Sequence, residues 1–401
     1  MPPLAAFLFL QAQALPVSFA DARARAAERA GEVIVSRTRF EVARAEVEVA
    51  GALANPTLTV LAARQTAQIG IGLSVPLPLF GQRGTAIRAA RADLEAARLE
   101  VEVARNEARW NGASAWIDLW EAQERARVLA LAAQDTERLL AIAQQRFDAG
   151  SAPRLDVVRA TADRARAAAE AGSARAAIAA AGARLAPWLG EDRDLAWEAS
   201  GRIGYPPAPP PLGQLLTDAT DHPLLLRDRA ESAAAEAHLR AEERQRWPVI
   251  NGQVTVNQGD PTLPGTDVIG GGSLDLPVLN LRGGAIARAR AQRALAEASA
   301  VADARKLFAD LRDAFRRSEG AAERTHALAT QVLPAMEEAR RMTEEGYRAG
   351  RLDLLRLLDA QRAVLDSRLA LAEAEAGYGR ALADLERAAG RDLSGQDAHA
   401  R

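Results

Sequence analysis

The sequence predicts a mainly α fold with a small β part, in which long antiparallel coiled-coil helices carry four short strands. Three observations lead there. Heptad patterns run unbroken for tens of residues, short segments alternate at period two between prolines, and the whole plan occurs twice within 401 residues.

The duplication is clearest where one long helical pattern breaks at a glycine and another starts at once. Near the end of the chain the break runs Gly346-Tyr347-Arg348-Ala349-Gly350-Arg351-Leu352-Asp353, followed by Leu354-Leu355-Arg356-Leu357-Leu358-Asp359-Ala360-Gln361. About two hundred residues earlier Arg146-Phe147-Asp148-Ala149-Gly150 leads into Leu155-Asp156-Val157-Val158-Arg159. Both breaks carry an aromatic three residues before the glycine. A Leu-Asp-apolar-apolar-Arg run follows each, at Leu155 and at Leu352.

Composition agrees with long helices. Hydrophobic residues make up 48% and charged residues 26%, but aromatics only 4%, and Lys306 is the only lysine. A net charge of -2 supplies no basic excess for nucleic acid. The chain has no cysteine, which excludes disulfides, thiolate metal sites, a cysteine nucleophile and lipid attachment through cysteine.

Residues 1-14 read as a signal peptide, with an apolar run from Leu4 to Leu10 and a small-x-small end at Ala12-Gln13-Ala14, although Lys and Arg are missing ahead of it. The first repeat spans 15-190. A helical pattern from Ser18 to Ala54 stops at Asn55-Pro56, because the residue before proline avoids the α region. Thr57 to Leu61 and Ile69 to Val75 read as strands, the second ended by Pro76 and Pro78. Past Gly84, Ile87, Ala90, Leu94, Ala97, Val101, Ala104 and Ala108 set out a heptad seam that runs on to Gly150, about 100 Å at 1.5 Å per residue. A return helix from Arg154 to Ala186 closes at Pro187.

Residues 191-213, including Tyr205-Pro206-Pro207-Ala208-Pro209-Pro210-Pro211, read as an extended linker. The second repeat, 214-391, brings a helix from about Leu212 to Arg246 that stops at Trp247-Pro248. Strands over Val249 to Asn257 and Val268 to Leu276 follow, then a long helix to Gly350 and a last one ended by Gly390. Its seam runs through Leu355, Leu358, Leu365, Leu369 and Ala372 to Ala383, with Arg362 interrupting. Residues 392-401 form a tail. The two strand pairs end alike, in Leu77-Pro78-Leu79-Phe80-Gly81-Gln82-Arg83-Gly84 and Leu276-Pro277-Val278-Leu279-Asn280-Leu281-Arg282-Gly283.

No run of 18 apolar residues occurs, so no helix is expected to cross a bilayer. The strands are long enough to cross when tilted, but four cannot close a barrel and an open edge in lipid leaves backbone groups unsatisfied. Several copies must pool their strands, with Ile69, Ile71, Leu73, Val75, Ile250, Val254 and Val256 toward lipid. Phe80 and Trp247, at the helix-proximal strand ends, are candidates for an interfacial aromatic girdle. Helices rooted in such a barrel and turning at Gly150 and Gly350 extend it as a tube. The four histidines are scattered without metal-ligand spacing, and no catalytic motif, cofactor site or metal site is read from the chain.

With these residues in view, the sequence resembles the TolC-like outer-membrane efflux proteins across its mature length, and among them most of all the heavy-metal, CzcC-like branch. That resemblance implies a homotrimer in the bacterial outer membrane, with a 12-strand β-barrel and a periplasmic α-barrel. It implies as partners a periplasmic adaptor and an inner-membrane pump of the RND type, with heavy-metal cations or drugs as cargo. It assigns adaptor contact to the turns at Phe147, Gly150, Tyr347, Gly350 and Arg351. Where the family pattern places two Asp three residues apart as a pore constriction, this chain has Arg356 and Asp359, which points to an Arg–Asp network in place of a purely acidic ring. The alternative reading is a soluble periplasmic coiled-coil scaffold whose strands are ordinary hairpins.

Overall fold

The computed structural model describes residues 14–62, 69–193, 195–203, 208–259, 265–277 and 279–393. The expected signal peptide up to Gln13, residues 204–207 of the Pro-rich stretch, Val278 and the tail beyond Leu393 lie outside the described residues. The chain divides into two compact units that do not follow the repeats: each takes segments from both halves.

The unit formed by Val35–Val103 and Pro223–Lys306 holds the larger sheet. Its strands are β2 (Thr57–Ala62), β3 (Ile69–Leu77), β5 (Val249–Gln258) and β6 (Thr266–Asp275), antiparallel in the order β2-β3-β5-β6. Register decides what each face carries, since residues directly opposite share a face. Leu73 pairs with Leu58 and Val254, Ile71 with Val60 and Val256, and Leu77 with Ile250. Val256 pairs with Val268 and Ile250 with Leu274. One face is therefore apolar across all four strands, and it is exposed. The other carries Thr59, Gly72, Ser74, Gln253, Thr255 and Asn257. There Gly70 and Gly72 leave room for Asn257 and Thr255, which lie 2.9 and 3.2 Å from where their Cβ atoms would stand.

β3 runs through Pro76 to Leu77, where the sequence placed its end before the proline. The reason lies in pairing: β2 begins at Thr57 opposite Ser74, so beyond Ser74 that side of β3 is an edge. An edge position tolerates the missing N–H.

The helical part of this unit comes from α2 (Gly31–Gly51), the start of α3 (Gln82–Asp148), α6 (Pro223–Arg244) and the start of α7 (Gly283–Ala327). The repeated Leu-Pro…Arg-Gly ends explain themselves here. Arg83 donates from Nε to the Gly51 carbonyl at 2.8 Å, capping the C-terminal end of α2, and Arg282 reaches Glu242 of α6 at 2.8 Å. Each arginine ties the chain leaving a hairpin to the helix that entered it. Arg282 sits at φ 58, a left-handed conformation rare outside glycine.

The other unit holds β1 (Leu15–Ser18), α1 (Phe19–Arg29), the rest of α3, α4 (Arg154–Leu185), β4 (Trp197–Ser200) and α5 (Leu212–Asp218). The end of α7, α8 (Leu333–Arg348) and α9 (Leu354–Ala389) complete it. Part of the expected linker is structured: β4 pairs in parallel with β1, and Trp197 and Ala199 enter a core with Val17, Phe19, Trp116, Ile117 and Leu185. Trp116 donates its indole N–H to the Val17 carbonyl at 2.8 Å and meets Phe19 edge-on. Strands of four residues leave no periodic trace in the sequence.

Three expected helices are interrupted. Ala30, at ψ 140, separates α1 from α2, and His222, at ψ 134 before Pro223, separates α5 and a short 3₁₀ turn from α6. Between α7 and α8, Leu328–Val332 form a π turn just ahead of Pro334, whose ring would crowd the carbonyl four residues back in a regular helix. The seam of α9 is buried at Leu358, Ala372, Ala376, Gly379 and Ala383 and departs from expectation only at its start, where Leu354 and Leu357 are buried and Leu355 is exposed, while Arg362 pairs with Asp163 of α4 at 2.7 Å.

Gly112 on α3 shows how tightly α1 packs. A Cβ there would stand 2.6 Å from the Ala26 Cβ and 3.0 Å from the Ala22 carbonyl oxygen. Replacing Gly112 by Leu is expected to cost ~3 kcal/mol through overpacking, read as a lowered thermal unfolding midpoint. An unchanged midpoint refutes this packing.

Candidate channel gate and docking turns

Both glycine turns are built by the same hydrogen bonds. Gly150 at φ 70 and Gly350 at φ 71 take the left-handed conformation in which glycine carries no Cβ penalty. Gly150 N–H donates to the Phe147 carbonyl at 2.9 Å and Ser151 N–H to the Arg146 carbonyl at 2.8 Å. In the second turn, Gly350 donates to Tyr347 at 3.0 Å and Arg351 to Gly346 at 2.9 Å. These are the paired bonds of a Schellman end. Gly346 leaves room for Leu352, whose Cδ1 would lie 2.5 Å from a Cβ there.

Below the turns a small core gathers Leu139 and Ala143 of α3, Ala160 of α4, Tyr347 of α8, and Leu354, Leu357 and Leu358 of α9. Tyr347 is the largest of these and is buried, so burial pushes its phenol above its ordinary value, with Arg146 opposing. Arg146 lies 4.4 Å over the Tyr347 ring and donates to the Tyr347 carbonyl at 2.8 Å. It thereby fastens the first turn to the second. Phe147 and Arg351, by contrast, are exposed, as are Leu155, Val158 and Leu355. The turns thus have a fixed inner side and an exposed, partly apolar outer side.

Arg356 and Asp359 are both exposed on the first turns of α9 and make no ion pair among the described residues. The Arg356 N–H is held instead by the Asp353 carboxylate at 3.1 Å, the N-cap of α9. The structure corrects the repeat register here. Helices α4 and α9 each begin four residues after the turn glycine, so Asp156 corresponds to Arg356 and Arg159 to Asp359. The two hairpins present the same pair with opposite sign.

Phe80 and Trp247 stack at 5.7 Å, both with exposed surface, at the sheet's helix-proximal end. Gln82 fixes them: its side-chain oxygen accepts the Phe80 N–H, and its amide donates to the Trp247 and Pro248 carbonyls at 3.2 Å.

The family model described as "Outer membrane efflux protein" matches residues 22–191 and 219–391, the greater part of both halves. The chain belongs to the outer membrane efflux protein family. Its place is therefore the outer membrane. The cobalt-zinc-cadmium resistance protein CzcC of Cupriavidus metallidurans is 24% identical over 297 residues, covering 74% of this chain and 71% of that one. A membrane protein of Pseudomonas aeruginosa has a similar structure, with a TM-score of 0.78 at 21% identity over 93% of each chain. The outer membrane protein VceC of Vibrio cholerae does too, with a TM-score of 0.73 at 17% identity over 94% of this chain and 96% of its own.

Reading the sequence for this family missed Arg146 and the pair Asp156 and Arg159. Arg146 had one available signal, its place next to Phe147. The other two were hidden by the Leu-Asp run, which pulls the repeats three residues out of step.

Proposed function

We propose that the chain is the outer-membrane exit duct of a tripartite efflux pump, conducting passively what an inner-membrane pump delivers through a periplasmic adaptor. It performs no catalysis of its own in this reading. The observation that carries it is the four-stranded sheet: one face is apolar over most of its length and largely exposed, and both edge strands, β2 and β6, have an unpaired side. Three copies joined β2 to β6 give twelve strands and no edge, which lipid requires. The name of the relative CzcC supports heavy-metal cations as cargo, with drugs the other class.

Because the chain lacks cysteine, introduced pairs are unambiguous reporters. Val60→Cys combined with Cys at Val268, Gly270 or Gly272 should give an oxidised, SDS-resistant trimer in the membrane fraction. Recovery as an uncrosslinked aqueous periplasmic protein favours the scaffold and sinks the duct.

The adaptor docks on the exposed side of the turns in this proposal. Gly150→Val and Gly350→Val, each forcing a branched side chain into the left-handed region at roughly 1–2 kcal/mol, should leave the trimer in the membrane and abolish efflux-dependent resistance. Full resistance in both variants removes the turns as the docking site.

A further inference from the structure

We propose that the sheet–helix junction of the unit containing Phe80 and Trp247 is a docking surface for anionic phospholipid headgroups. The proposal rests on the outer-membrane reading and adds a ligand to it. Charge is distributed very unevenly here. The described strands of the large sheet carry no basic residue and only Asp267 and Asp275, and Asp275 is held by Asn251 on the polar face, away from the apolar one.

The helical ends meeting that sheet are the reverse. Residues 45–51, 82–91, 239–246 and 282–290 hold nine arginines and four glutamates, a surplus of five positive charges in a chain whose net charge is -2. Internal pairing does not absorb this surplus. Glu242 is taken by Arg282 and Glu243 by Arg290, and Arg83 spends its guanidinium on the Gly51 carbonyl. Arg88, Arg91, Arg244 and Arg246 are exposed and make no ion pair among the described residues. The acids left over are Glu46 and Glu48, fewer than the free arginines.

This basic band is continuous with apolar surface. Trp247 follows Arg246 directly and stacks on Phe80, and Leu79, next to Phe80, and Leu276, next to Asp275 opposite Val249, are exposed at the same end of the sheet. Arginine beside an exposed tryptophan at the end of a lipid-facing sheet suits a molecule with phosphate at one end and hydrocarbon at the other. Free phosphate supplies the first part only.

The test uses the full chain purified in a neutral detergent and supplied with phosphatidylglycerol, phosphatidylcholine or inorganic phosphate, with retained adducts counted by native mass spectrometry. Phosphatidylglycerol should be retained over phosphatidylcholine, and Arg244→Gln with Arg246→Gln should lower that retention about fivefold for each arginine removed. Equal retention of the two lipids overturns the proposal, as does undiminished retention in the double variant. Phosphate that displaces the lipid at equal concentration also overturns it, showing a simple anion site. The same spectra report the oligomer: monomers that keep phosphatidylglycerol preserve this surface while removing the trimeric duct.

Discussion

Val254→Arg should all but eliminate the SDS-resistant trimer. Val254 lies mid-strand in β5, opposite Leu73 on one side and Gly270 on the other, with its side chain on the exposed apolar face. If that face meets hydrocarbon, an arginine there costs about 2–4 kcal/mol near the bilayer middle. Through RT this is roughly a thirtyfold to thousandfold loss in assembled fraction. Gln253→Arg is the matched control: one residue away, it lies on the face of Ser74, where the proposed barrel would have an aqueous lumen to hydrate the charge. The measurement is the trimer-to-monomer ratio on an unheated gel, with expression checked after boiling. Equal trimer from the two variants refutes the lipid-facing assignment, and loss only in Gln253→Arg reverses the sheet.

Much of this fold was readable because long-range order in it has short-range signals. A helix of the length of α3 writes its heptads over many turns, and a strand with one apolar face writes period two, so Ile71, Leu73, Val254 and Val256 fell on one face before any pairing was known. The turn glycines were readable for a stronger reason: only a left-handed residue closes a Schellman end, and both sites break the helical pattern. What stayed hidden depends on contacts between distant residues. Trp197 looks like part of a polar, proline-rich linker until β4 meets β1. Arg146 looks like any helical arginine until Tyr347, two hundred residues away, is beneath it. The π turn before Pro334 was equally silent, since a proline inside a heptad pattern indicates disturbance without its form.

The proposed gate carries the second large effect. Arg356 and Asp359, three residues apart on α9, are exposed and unpaired among the described residues, and Asp156 and Arg159 hold the equivalent places on α4 with reversed sign. A threefold assembly sets like surfaces of neighbouring copies around one axis. In the proposed closed end, Arg356 of each copy meets Asp359 of the next. An exposed pair contributes only about 0.2–1 kcal/mol, but three identical pairs together favour the closed state by about three- to a hundred-and-fifty-fold. Adaptor binding supplies the opposing free energy, provided it prefers the open form. Arg356→Ala and Asp359→Ala should therefore each raise single-channel conductance in planar bilayers, the double variant adding little because either change alone breaks the ring. High salt should raise the parent's conductance more than the bulk electrolyte explains, since screening weakens exposed pairs. If all three variants conduct like the parent at low salt, the charges have no part in closure. The part-buried Arg146–Tyr347 fastening would then be left to hold the end shut.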